Sequence, residues 1–112
     1  MSAQDDRFWR RVGAALAATA VGLGAFGAHA LGAHPRIETW HTASHYHLLH
    51  AIALCVPGLP GWPRRLLLAG TLVFAGSLYL LVLSDQRWLG AITPIGGVVL
   101  IVGWVLAAAS KT

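Results

Sequence analysis

The sequence predicts an all-α, polytopic membrane protein with four transmembrane helices in an antiparallel bundle. Three observations carry this. Of 112 residues, 56% are hydrophobic and only 11% charged, with a mean hydropathy of +0.64; soluble domains carry about 25% charged residues. Four apolar blocks are separated by short breaks, and each has close to the roughly 17–25 residues that cross about 30 Å of hydrocarbon. The blocks are apolar all round, without the period-two alternation of a membrane β-strand.

In order along the chain, residues 1–11 form a polar tail expected on the cytoplasmic side, and 12–110 form a single transmembrane domain. The spans are expected at about 12–31, 40–56, 66–83 and 90–109. Thr39 can cap the second span. Pro57, Pro60 and Pro63 fill the middle break and cannot continue a helix. Thr93 followed by Pro94 suits an N-cap and a first helical position, which would leave 89–92 near the interface. All connections are short, so neighbouring helices run antiparallel.

Positive charge sets the expected orientation. Arg7, Arg10, Arg11, Arg64, Arg65 and Lys111 fall on one side, Arg36 and Arg87 on the other. This bias places both termini in the cytoplasm of a cell with an inner membrane. Trp9, Trp40, Trp62 and Trp88 stand at predicted water boundaries, as an aromatic belt requires, and Trp104 stands inside a span. The basic start and the Ala28-His29-Ala30 sequence have the look of a signal peptide, but an apolar stretch of about twenty residues is too long for one. The net charge of +4 comes without a basic, aromatic-interleaved stripe, so the expected partner is the lipid bilayer and not nucleic acid. Cys55 is alone, so the chain has no internal disulfide and no paired-cysteine zinc motif.

Thirteen glycines are many for this length. Gly22, Gly24, Gly27 and Ala28 cluster in the first span, Gly70 and Gly76 in the third, and Gly96, Gly97 and Gly103 in the fourth. Helices in lipid associate by close backbone approach, so these positions are expected at helix contacts. Ala20, Gly24 and Ala28 form one stripe, and Gly96, Gly103 and Ala107 another. Together they offer more surface than four short helices need, which points to a homo-oligomer or a subunit of a membrane complex.

Four of six histidines lie in the stretch HTASHYHLLH, residues 41–50. On a helix, His41 and His45 share one face, and His47 and His50 another, with His50 roughly 13–14 Å deeper than His41. His41, His45 and His29 offer imidazoles for a metal near the outer surface, with Glu38 as the nearby carboxylate. His50 is deep enough for a haem ligand, but no other span carries a second deep histidine. One H-x-x-x-H and one H-x-x-H are too few ligands for a di-iron enzyme. His50, His47, His29 and Tyr46 are the candidates for a ligand or a proton. The competing interpretation is neutral polar packing, with Thr42, Ser44, Tyr46, Ser77, Tyr79 and Thr93 as hydrogen-bond partners. His50 is expected to face the small residues of the first span around Gly22 and Gly24. Glu38 and Asp85 are the only acids outside the tail, so no nucleophilic triad is visible. Whether the chain holds a cofactor is left open, and so is whether it is an enzyme, with the balance against the latter.

Four motifs, GAFGAHAL at 24–31, HTASHYHLLHAIAL at 41–54, AGTLVFAGSLYLLVL at 69–83 and GAITPIGGVVLIVGW at 90–104, resemble a small four-span bacterial inner-membrane family of unknown function. Animal transmembrane protein 256 is similar to it. The resemblance covers about nine-tenths of the chain in the same order. It implies a four-helix integral membrane protein and no particular activity. The family's signatures fall here on Gly24, Gly27, Ala28 and His29, on Tyr46, His50 and Ala51, and on Thr93, Pro94, Gly96 and Gly97. His41 and His45 lie outside them. The expectation is therefore an inner-membrane protein without a catalytic set, acting as a membrane scaffold or complex subunit. Its rivals are a proton-linked or small-ligand permease built on His50, and a haem- or metal-binding membrane protein.

Overall fold

The computed structural model describes residues 3–110; Lys111 lies outside them. It holds four α-helices: α1 Ala3–Ala30, α2 Ile37–Leu54, α3 Gly61–Ser84 and α4 Leu89–Ala109. The helices pack antiparallel, α1 on α2, α2 on α3 and α3 on α4. Among the described residues α1 and α4 make no close backbone approach, so the four form an open row that does not close into a ring. The molecule measures 45 × 26 × 16 Å along its principal axes.

Each helix boundary has a local cause. The N-terminal segment is already helical from Ala3, with Asp5 and Asp6 in the first turn, where carboxylates meet the positive end of the helix dipole. α2 begins at Ile37 with Arg36 at the N-cap, so Thr39 stands inside the helix and does not cap it. The turn before it is held by the Arg36 N–H donating to His34 Nδ1 at 3.0 Å. α3 starts five residues before the expected 66, because Pro60 takes the N-cap and Pro63 falls in the first turn, where a missing N–H costs nothing. It ends at Asp85, whose φ of 58° is left-handed and whose N–H donates to Leu81 O at 2.9 Å.

α4 starts within a residue of the expected span, but not through the Thr93–Pro94 cap. Trp88 takes the N-cap position, and Thr93 and Pro94 stand inside the helix. Tight bonds from Leu89, Gly90 and Ala91 back to Gln86, Arg87 and Trp88 start the helix before the proline is reached. Pro94 leaves the carbonyl four residues earlier without a helical donor, but that residue, Gly90, is exposed near the helix start.

α1, α3 and α4 are long and apolar enough to cross a membrane by length and composition. α2 is not among them: its 18 residues hold four histidines and Glu38. Instead it is covered by α1 on one side and α3 on the other.

Glycine sets the close contacts. A Cβ on Gly13 would stand 2.6 Å from Ala51 O and from Cys55 Sγ, and one on Gly27 would run into the Trp40 indole. The buried face of α1 is therefore Gly13, Ala20 and Gly27, repeating every seven residues. Ala28 is exposed, and Gly24 only reaches Ser44 Cβ at 4.0 Å. Between α3 and α4, Gly70 meets Leu100, Gly103 meets Leu66 and Leu67, and Gly96 abuts the Phe74 backbone and Gly70 O. Gly97 touches the Phe74 ring at 3.7 Å, whereas Gly22 and Gly76 face open space. One core cluster takes a residue from every helix, Trp9, Leu54, Leu67 and Leu100. A second, Ala43, Ala75 and Leu78, joins α2 to α3.

Candidate functional site

α2 carries the polar chemistry, and its histidines sort into a wet pair and a buried pair. His41 and His45 are exposed, as is His29 at the end of α1. His41 Nδ1 lies 3.9 Å from Glu38, and the His45 ring meets Tyr46 edge-on. The structure does not bring His29, His41 and His45 together. Among the described residues no three His, Cys, Asp or Glu side chains converge as a metal site would need. Trp40, expected as an interfacial anchor, is 1% exposed. Its indole N–H donates to Leu23 O at 2.7 Å, and its ring lies between Phe26 and Tyr79. It pins α2 to α1.

His50 is buried, but it does not face Gly22 and Gly24. Its Nε2 lies 3.0 Å from Trp104 Nε1 on α4, and its Nδ1 lies 2.8 Å from the Tyr46 carbonyl. A carbonyl only accepts, so Nδ1 carries the proton. Indole N–H only donates, so Nε2 accepts. Both ring nitrogens are engaged, and the ring is held as the neutral Nδ1–H tautomer. A haem iron or a travelling proton would have to displace Trp104. Tyr46 stacks on His50 with planes 10° apart and touches Phe74 of α3. The sequence misplaced His50 for a geometric reason. Residues three apart on a helix differ by about 60° in direction, enough for His47 and His50 to meet different neighbours.

His47 is the histidine that faces α1. Its Nδ1 lies 2.8 Å from the Tyr79 hydroxyl of α3, which also lies 3.4 Å from Ser44 Oγ. The other side of the ring meets the Leu16 backbone. With Leu16 O accepting from Nε2–H, Nδ1 accepts from Tyr79, the opposite tautomer to His50. Tyr79, Ser44 and Trp104 are thus parts of the polar arrangement, and Trp104 was legible only as the one tryptophan inside a span. A further hydroxyl pair, Ser77 and Thr93 at 2.6 Å, ties α3 to α4.

Two charged clasps close the ends of the row. At one end Arg64, fully buried, donates from Nη2 to Asp6 Oδ1 at 2.9 Å and to Val56 O, and lies over the Trp9 ring. Asp6 also accepts from the Gly58 N–H at 3.1 Å. That backbone bond first, and the Arg64 bond second, hold its carboxyl below the ordinary carboxylate range. At the other end Arg36 donates from Nε and Nη2 to Asp85 Oδ1 at 3.1 and 2.8 Å. These clasps sort the charges as the sequence did, with Arg64 beside the N-terminal segment and Arg36 at the opposite end.

Over residues 23–97 the sequence matches the family described as "Protein of unknown function (DUF423)". The chain belongs to the DUF423 family. The matched segment of this DUF423 chain runs from the end of α1 into α4 and holds His47, His50 and Tyr79, but stops before Trp104. A UPF0382 membrane protein of Staphylococcus aureus (strain bovine RF122 / ET3-1) is 42% identical over 106 residues, 85% of this chain and 87% of the relative. The UPF0382 membrane protein YwdK of Bacillus subtilis (strain 168) is 42% identical over 111 residues, 85% of this chain and 88% of its own. No solved structure matches. The chain is a multi-pass membrane protein of a bacterial family, all-α, and associates with the lipid bilayer.

Proposed function

We propose that the protein is a non-catalytic inner-membrane scaffold or complex subunit that self-associates through the outer face of α1, with both termini in the cytoplasm. The open row carries this reading. α1 and α4 are its two flanks, and neither covers the other. They differ in kind. The outer face of α1 exposes Ala14, Ala18, Gly22 and Ala25 around one bulky residue, Val21, whereas α4 exposes Ile95, Val98, Ile101 and Val105. Small residues let a second backbone approach closely, while bulky aliphatic ones resemble the lipid around them. The buried histidines support a structural role, since both nitrogens of His50 bind neighbours.

The test uses single cysteines in a Cys55→Ser background. Gly22→Cys is expected to give an oxidised dimer in native membranes, and Ile101→Cys is not. Native mass spectrometry in mild detergent is expected to show oligomers that Gly22→Leu dissociates. A monomer in every condition would overturn the self-association. Reporter fusions after Pro60 and after Gln86 are expected on opposite sides, cytoplasmic and external respectively; both on one side would overturn the topology.

A further inference from the structure

We propose that the gap between α1 and α3 beside His47 binds one six-membered ring bearing an oxygen, drawn from the bilayer and held by a hydrogen bond from His47.

The gap exists because α1 and α3 flank α2 without backbone contact. It encloses about 140 Å³ between Leu16 and Thr19 of α1, His47 of α2, and Thr71, Ala75 and Gly76 of α3. A cavity of about 150 Å³ takes one benzene ring. Its walls are almost wholly apolar, and Leu72 and Thr19 at its rim are exposed, so it opens sideways to lipid. A Cβ on Gly76 would meet nothing within 4 Å, so space continues to the α3 backbone.

The polar groups set the ligand chemistry. The Thr19 and Thr71 hydroxyls donate to Ala15 O and Leu67 O, at 2.9 and 2.6 Å, within their own helices. Each spends its proton and keeps lone pairs. The third donor in the lining is His47, whose Nδ1 is taken by Tyr79 and whose Nε2–H is held by the Leu16 carbonyl, an acceptor already bonded along α1. A ligand oxygen that takes this proton therefore leaves no orphaned acceptor behind. His47 is ten residues from the start of α2, about 15 Å along the helix and close to the middle of a core about 30 Å thick. A dissolved ring reaches that depth readily, and an ion does not.

The test titrates phenol into the full-length protein in lipid nanodiscs, with labelled histidine, while the His47 ring resonances are followed by NMR. The His47 signals are assigned by their loss in His47→Gln. A saturable shift at His47, with His41 and His45 unmoved, is the expected result. Gly76→Leu fills the open space and is expected to weaken phenol binding at least tenfold while leaving the His50 signals in place. Thr19→Phe closes the rim from α1 and serves the same purpose should Gly76→Leu fail to fold. A shift that rises linearly with phenol, or saturates equally in the filled variants, would overturn the site. Benzene saturating as tightly as phenol would overturn the hydrogen bond to His47.

Discussion

The contact between His50 and Trp104 joins two helices that are not backbone neighbours, so its strength can be isolated. Trp104→Phe keeps an aromatic ring and removes the N–H that reaches His50 Nε2 at 3.0 Å. His50 is 7% exposed, so its Nε2 is left as a buried acceptor. Leaving such a group unpaired costs about 1–3 kcal/mol in water-soluble proteins. Interhelical bonds in membranes average about 0.6 kcal/mol and reach about 1.7. Trp104 is 43% exposed, so the loss of ring area adds little. Trp104→Phe is therefore expected to destabilise by about 1 kcal/mol. His50→Leu loses the same bond and the Tyr46 carbonyl bond. In a double-mutant cycle the two should couple by about 0.6–1.7 kcal/mol, since each removes one end of one interaction. Reversible unfolding in mixed micelles, followed by tryptophan fluorescence in single-tryptophan backgrounds and by circular dichroism for every variant, supplies the four free energies. Additivity within about 0.3 kcal/mol would refute the bond, and with it the assignment of the Nδ1–H tautomer.

Two further predictions use the same preparation. Gly96→Leu should destabilise by about 3 kcal/mol or abolish folding, because overpacking against backbone cannot relax and a Cβ there would stand 2.5 Å from Phe74 N; Gly76→Leu, in open space, should be neutral or stabilising by up to about 1 kcal/mol through helix propensity, as thermal denaturation will show. The Asp6 carboxyl is depressed in the folded state, so its contribution is present above the ordinary carboxylate range and is lost as pH falls through its folded value; acid should lower the protection of the Gly58 amide, measured as its exchange rate relative to the unstructured rate at the same pH, and Asp6→Asn should be less protected at neutral pH and lose that acid response.

The helices were legible because apolar blocks and proline breaks are local signals. The separation of Arg64 from Arg36 was legible too, since Arg64 meets Asp6 of the N-terminal segment and Arg36 meets Asp85 at the opposite end, although the ion pairs themselves were not. What failed was local chemistry overridden by context. Thr93-Pro94 has the chemistry of a helix start, yet tight turns from Gln86 onward begin α4 earlier. Gly13 went unnoticed because it stands beside the basic tail, although its seven-residue spacing to Ala20 and Gly27 was there to read. The partners of His47 and His50 were beyond reach, because a helical wheel gives a direction and not the helix that waits there. Tyr79 and Trp104 are 32 and 54 residues away from them.

The weak hydropathy of α2 also bears on how the chain is made. α1 emerges first and can enter the bilayer on its own. α2 follows with its histidines, and only the Gly13–Ala20–Gly27 face of α1 is there to receive it. Until α3 arrives His47 lacks Tyr79, and until α4 arrives His50 lacks Trp104. A nascent chain stalled near Pro60 thus holds two imidazoles that each lack one partner in or beside hydrocarbon, a cost that favours keeping α2 at the translocon or the lipid surface. In that order of synthesis α2 waits for two later helices, α3 to complete the bonds of His47 and α4 to complete those of His50.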